Sequence, residues 1–439
     1  MKEYILGNIN IVNWDDICVA NVLIQEGKIT EIFMNKSPNN EYPYIDMKGK
    51  YLLPGLIDSH VHLREPGLEH KEEIESGTLA ALAGGVTYVI DMPNTNPQTD
   101  SIAELKKKKK LFEKKSKTLF NLHFLGTETN LHELQKLNGE DVASIKIFMA
   151  GHHTAKNIVK DEKILTKIMQ IAKQKNIILT VHAEDAELID PKSEKNIKDY
   201  TFKRAGDVAG SAIKKLIRLC QKTGCSLHIL HVSSIEEVKL IEDAKKIGLP
   251  ITYEFIPPHL YYTYQDMYKI GNFIKLSPPL RTAADQEFLI EHLLNKKVDC
   301  IGSDHAPHSM EEKKRNFADA PPGMPGVQEM FSVVYTLLIK RGLSVQESLK
   351  LCTYYLAFKP SKLFNIKGKG YISNNMDADF FIFDPNFEYK GLQFMYTKNK
   401  WSAYENEVIM GSVEKTYING ELVYEKVPWV QTSCKESGV

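Results

Sequence analysis

The feature that most restricts the fold of this chain is an alternation repeated eight times between residues 52 and 308. Apolar runs of strand length occur at Leu52–His62, Val86–Met92, Phe120–Thr127, Ser144–Met149, Ile177–Asp185, Ser226–Ser234, Ile251–Ile256 and Val298–His308. Longer amphipathic stretches lie between them, among them Lys71–Ala83, Ile102–Lys115, Asp161–Lys175, Ala212–Gln221, Ile235–Lys246 and Ala284–Leu294. Strands that are apolar on both faces need cover on both faces. Helical crossovers supply that cover when the strands run parallel. Eight such units over roughly 250 residues match a closed (β/α)8 TIM barrel in the α/β class.

Both ends of the chain have a different texture. Tyr4–Ile11, Val22–Gln25 and Lys28–Phe33 read as short strands, with Glu26-Gly27 as a hairpin signal. Two helices are expected near Val327–Ile339 and Val345–Phe358. Strands return at Phe380–Phe383, Glu407–Ile409, Glu414–Ile418 and Leu422–Tyr424, with Asn419-Gly420 as a type I′ hairpin signal. The economical reading is a small β-sandwich domain built from residues 1–52 and 361–439, flanking a barrel over residues 53–360. The run Lys106–Lys110 reads as a solvated helix face, an anionic partner being the minor alternative.

Composition then excludes several functions. Lys and Arg number 56, matching 56 Asp and Glu, so no global basic excess points to nucleic acid. No apolar run approaches the ~20 residues of a membrane span. The start, Met1-Lys2-Glu3-Tyr4, carries an acid early and shows no long apolar stretch of a signal peptide. Six cysteines without a CxxC pair read as reduced thiols of a cytoplasmic protein.

Chemistry-bearing residues gather where the strands end, which in a barrel of this type is the active face. The first run carries His60-Val61-His62, and a period of two sends both imidazoles the same way. The fifth carries His182, the sixth His231 and the eighth Asp304. Lys146 sits inside an otherwise apolar fourth run, Ser144–Met149. A charged lysine is costly to bury, so it needs a partner or a chemical change such as carboxylation by CO2. Taken singly, each residue also fits a packed or hydrogen-bonded core position. Jointly, in strand order one, four, five, six and eight, they read as a metal site.

These residues carry a resemblance. Asp58–Gly67 and Gly302–His308, followed by Glu312-Lys313, are similar to the two signature regions of the dihydroorotases, within the amidohydrolase superfamily. Asp91–Thr95 and Ala320–Gly326 also match. The resemblance covers nearly the whole chain. It implies conversion of N-carbamoyl-L-aspartate to L-dihydroorotate in pyrimidine synthesis, on a site of two divalent metal ions, most often zinc. It implies His60, His62 and Asp304 on one ion and His182 and His231 on the other. An N6-carboxylated Lys146 and a hydroxide bridge the two. It makes Asp304 the general acid and base. Arg64, Asn94 and His308 are implied as contacts to the substrate carboxylate, and Pro322-Gly323 as the loop beside the ring amide. A homodimer is expected.

Three departures stand out. Some dihydroorotases have aspartate where this chain has Lys146, which instead matches the branch shared with hydantoinases and allantoinase. Ser277 stands where a related branch has a substrate-contacting asparagine. No proline follows Arg204 at the position where relatives often have one. Two other readings remain at this point: an allantoinase or dihydropyrimidinase on the same metal site, and a catalytically silent partner of pyrimidine enzymes.

Overall fold

The computed structural model describes residues 3–34, 41–151, 154, 156–390 and 395–427. Eight parallel strands pair in chain order: β1 (Leu56–Val61), β2 (Val86–Asp91), β3 (Leu119–Leu125), β4 (Ser144–Phe148), β5 (Leu179–His182), β6 (Leu227–Ile229), β7 (Ile251–Phe255) and β8 (Cys300–Ile301). The ring closes beyond β8, where His305 bridges Val61 in parallel and its carbonyl accepts from the His62 amide at 2.7 Å. The last strand is much shorter than the apolar run from Val298 suggests. After Ile301 the chain turns through Asp304 at φ 45°, outside strand geometry.

Helices cover the outside of the ring, and their ends follow local chemistry. Ser101, Asp161, Ser234 and Thr282 accept amide hydrogens at the starts of Ile102–Lys115, Glu162–Lys175, Ile235–Lys246 and Ala283–Leu294. Glu162–Lys175 buries Leu165, Ile168, Met169, Ile171 and Ala172 against the strands.

A second sheet joins the two ends of the chain. Its path runs Glu421–Glu425, Val408–Ile418, Phe380–Lys390, Tyr51–Pro54, Tyr4–Val12, Ile17–Gln25, Lys28–Phe33, with Tyr44–Asp46 alongside Tyr4–Val12. Alternation along Phe380–Lys390 joins it to the barrel. Phe380 and Ile382 enter the sheet's own core with Leu6 and Ile9. Phe381 and Phe383 pack edge-on against Phe331 of helix Met330–Lys340, at 5.2 and 4.8 Å between centroids.

Three further expectations change. The run Leu52–His62 is two strands in different sheets, parted at Gly55, where a Cβ would lie 2.2 Å from Thr87. The expected strands Glu407–Ile409 and Glu414–Ile418 are one strand bent at Gly411, whose φ of 79° mimics a break in the sequence pattern. Lys108 leaves the solvated lysine face: it is 1% exposed, with Nζ 2.5 Å from Asp91 and 2.7 Å from the Met92 carbonyl. Asp91 in turn accepts from the Leu63 amide at 2.7 Å, pinning the turn that carries His62 and Arg64. Lys108→Met therefore strands a buried carboxylate. It is expected to cost about 3–5 kcal/mol, read as a lower urea midpoint, with partial recovery in Lys108→Met/Asp91→Asn, which removes the charge and keeps the acceptor for the Leu63 amide. An unchanged midpoint in the single variant contradicts the pairing.

Among the described residues Cys18, Cys220, Cys225, Cys300 and Cys352 are free thiols, and Cys434 lies outside the described residues. Among them too, no helix is long and apolar enough to cross a membrane.

Candidate metal centre and active site

The carboxyl ends of the strands open into a recess of about 450 Å³, counting solvent at its mouth. From β1, His60 and His62 turn their rings to the same side, centroids 5.4 Å apart. Both Nε2 atoms lie 3.2 Å from Asp304 Oδ1. Their Nδ1 atoms face away onto oxygens, His60 at 2.5 Å from Glu254 Oε1 and His62 at 2.8 Å from Asn94 Oδ1. Those oxygens accept, so each Nδ1 carries a proton.

The Nε2 atoms then decide what the cluster wants. Burial and neighbouring Arg64 drive the His62 imidazole well below its usual value, leaving an Nε2 lone pair against a carboxylate oxygen. Burial also lowers His60, but Asp304 and Glu254 outweigh it and raise that group, placing a proton where a cation belongs. Two imidazole nitrogens and a carboxylate oxygen converging from three directions fit a divalent ion, and the Glu254 and Asn94 contacts are the outer hydrogen bonds such ligands need.

A second group stands beside it. His182 Nε2 lies 2.8 Å from Glu184 Oε2, so its Nδ1 turns a lone pair toward His231 Nε2, 3.0 Å away. His231 Nδ1 is buried without a hydrogen-bond partner among the described residues. Burial lowers both imidazoles, so both are neutral bases at neutral pH. Glu184 is fixed from behind: Arg204 Nε donates to Oε1 at 3.0 Å and Nη2 to Oε2. Ser277 Oγ joins the same pair, 3.2 Å from Glu184 and 3.0 Å from Arg204 Nη2.

Lys146 on β4 is 1% exposed. Among the described residues no hydrogen bond or ion pair meets its Nζ, which lies 4.5 Å from the Phe148 ring centroid. Burial outweighs the pull of Glu254 and Asp304 and brings the amine down to about 7. A neutral amine is thus available at physiological pH. Three site residues, Arg64, His231 and Asp304, adopt φ of 64°, 39° and 45°. Such values are uncommon outside glycine and gather where a site dictates the backbone.

A model of the amidohydrolase family matches residues 51–423. The chain belongs to this family. It is 34% identical to the dihydroorotase of Bacillus cytotoxicus, over 97% of this chain and 99% of that one. It is 31% identical to the dihydroorotase of Methanothermobacter thermautotrophicus, over 92% and 90%. Among solved structures, the L-hydantoinase (dihydropyrimidinase) of Arthrobacter aurescens superposes with a TM-score of 0.91 at 29% identity, covering 98% of both chains. The D-hydantoinase (dihydropyrimidinase) of a Thermus species gives 0.85 at 25% identity, over 95% and 94%.

In this amidohydrolase the six candidate ligands, Arg64, His308, Ser277, Pro322 and Gly323 all line the one recess. Asn94 does not. It stands behind His62, with its amide nitrogen on Thr154 at 2.9 Å. Arg64 Nε is anchored on the Pro307 carbonyl at 3.2 Å, and Nη2 lies 3.3 Å from His308 Nε2.

Several supporting residues of the amidohydrolase site escaped the sequence reading. Glu254 interrupts the apolar run of β7 just as Lys146 interrupts β4, and that signal was available. Gly302 lets this carboxylate in, since a Cβ there would lie 2.8 Å from Glu254 Oε2. The Pro322-Gly323 loop is held by two lysines. Lys275 donates to the carbonyls of Phe317 and Ala320 at 2.6 and 2.8 Å. Lys313 donates to those of Pro321 and Gly323 at 3.0 and 2.7 Å. Lys275 carries no sequence mark to separate it from a surface lysine, and Lys313, although it follows the second signature-like segment, shows nothing there of its role in holding carbonyls.

Proposed function

We propose that the protein is a dihydroorotase of pyrimidine (UMP) synthesis, acting in the cytoplasm. It interconverts N-carbamoyl-L-aspartate and L-dihydroorotate plus water. One observation carries this reading: Arg64 Nη2 and His308 Nε2 sit 3.3 Å apart on the wall of the recess that holds Asp304. That pairing suits a substrate with a carboxylate, which an unsubstituted hydantoin or allantoin lacks. The similarity to dihydroorotases over the full length supports it. The hydantoinase structures share the fold and support the wider class of cyclic-amide hydrolysis.

In this reading His60, His62 and Asp304 would hold one divalent ion and His182 and His231 a second, with a carboxylated Lys146 as a further ligand. Zinc suits imidazole and carboxylate donors. Such ions acidify water and polarise the scissile carbonyl. The chain's own residues do the rest. Asp304 takes the proton of the attacking water and delivers it to the ring nitrogen as the C–N bond breaks. Cyclisation reverses the transfer. Arg64 and His308 hold the ring carboxylate, and the Pro322-Gly323 backbone meets the amide edge. Asn94 acts through His62, and Ser277 through Glu184 and His182. A homodimer is the assembly expected with this activity, checked by sedimentation.

Steady-state turnover of dihydroorotate against allantoin and hydantoin, with metal fully loaded, tests the reading. Absence of dihydroorotate turnover overturns it. Arg64→Met is expected to lower kcat/KM for dihydroorotate by roughly a hundredfold or more, because a buried charge partner is lost, with metal content unchanged. Near-normal turnover in that variant means the carboxylate is held elsewhere.

A further inference from the structure

Lys71 is not among the residues that line the recess. It precedes helix Ile74–Ala83 and is buried, 6% exposed. Its ammonium is 2.5 Å from Glu312 Oε1 and 2.9 Å from His308 Nδ1. An ammonium only donates, so at 2.9 Å His308 Nδ1 accepts, and the ring proton of a neutral imidazole must sit on Nε2. His308 is neutral: burial drives it well below its usual value, against the pull of Glu312. Glu312 Oε2 offers a competing acceptor for Nδ1, but at 3.5 Å, and that oxygen already accepts from the Ser309 amide at 3.0 Å.

The consequence appears on the other side of the ring. Nε2 faces Arg64 Nη2 at 3.3 Å, and Arg64 also only donates. Two N–H groups side by side, both lining the recess, do not bond each other, and together suit an acceptor oxygen. We propose that Lys71 is a positioning residue that selects the Nε2–H tautomer of His308, and so turns His308 and Arg64 into a two-donor cradle for the substrate's carboxylate.

Without Lys71 the ring has a better choice. Nδ1–H can donate to Glu312, and Nε2 then accepts from Arg64. The cradle closes on itself and loses a donor. Only the identity of the anion rests on the dihydroorotase reading; the tautomer of His308 does not.

The test is long-range proton–nitrogen NMR of the histidine rings in the metal-loaded enzyme, with the His308 signals identified by their loss in His308→Asn. Steady-state kinetics on dihydroorotate accompany it. The wild-type ring is expected as Nε2–H, and the Lys71→Met ring as Nδ1–H. KM in Lys71→Met is expected to rise roughly tenfold or more, as for loss of a hydrogen bond to a charged group, with kcat little changed. Lys71→Arg keeps a donor and restores both tautomer and KM. A wild-type Nδ1–H ring overturns the proposal, and that measurement needs no variant to fold. An unchanged tautomer in Lys71→Met, or a switched tautomer with unchanged KM, also overturns it. A wild-type enzyme with the Nε2–H ring but inert toward dihydroorotate upholds the role of Lys71 and sinks the proposed substrate.

Discussion

Replacing Asp304 by asparagine is expected to lower dihydroorotate turnover by roughly ten-thousand-fold, the upper range for loss of a positioned acid and base. The substitution separates chemistry from shape. Asparagine has the same outline, and like aspartate it tolerates the φ of 45° at this position. Strain therefore adds little. What disappears is the negative charge 3.2 Å from both His60 and His62, and with it the oxygen that can take and return a proton. Metal content measured beside kcat divides the two roles. Weakened metal binding, with turnover still depressed when metal is in excess, is the expected pattern. A fully loaded variant that keeps a sizeable share of wild-type kcat would remove Asp304 from proton transfer.

The second large effect is expected at Lys146. With Lys146 carboxylated as proposed, Lys146→Ala should lose metal and all measurable activity, with partial rescue by acetate or propionate, whose carboxylates would stand in for the proposed carbamate. Lys146→Met sharpens the test, because it keeps the volume and removes an amine that is costly to bury. If the lysine is only a packed residue, the methionine variant keeps its metal. If Lys146 is a ligand, Lys146→Met unfolds at higher urea than the metal-free wild type yet binds metal poorly. Unchanged metal content in either variant rules out the bridging role.

These two residues also show how far the site could be read from the sequence. A lysine in the run Ser144–Met149 and an aspartate closing the run from Val298 are out of place in apolar strands, and such a residue reports function without any neighbour being known. His60 and His62 are legible because a strand's period of two is a local property. Lys108 was misread for the complementary reason. A lysine among lysines on an amphipathic helix has no local mark of burial, and its partner Asp91 lies on another element. Asn94 was legible as a site residue, but its place behind His62 was not. Ser277 likewise reads as a wall residue until Glu184 and Arg204 are seen to hold it.

The sequence by itself determined the barrel, the joining of the two ends into one β-domain, and the inventory of imidazole, carboxylate and amine at the strand ends. Those follow from periodicity and from the cost of burying charge, which act on short stretches of chain. Only the tertiary structure decided which nitrogen of each histidine faces the recess. Glu254 meets His60 across 194 residues, and Lys71 meets His308 across 237. A ring proton goes to whichever nitrogen faces an acceptor, and those partners exist only once the barrel has closed.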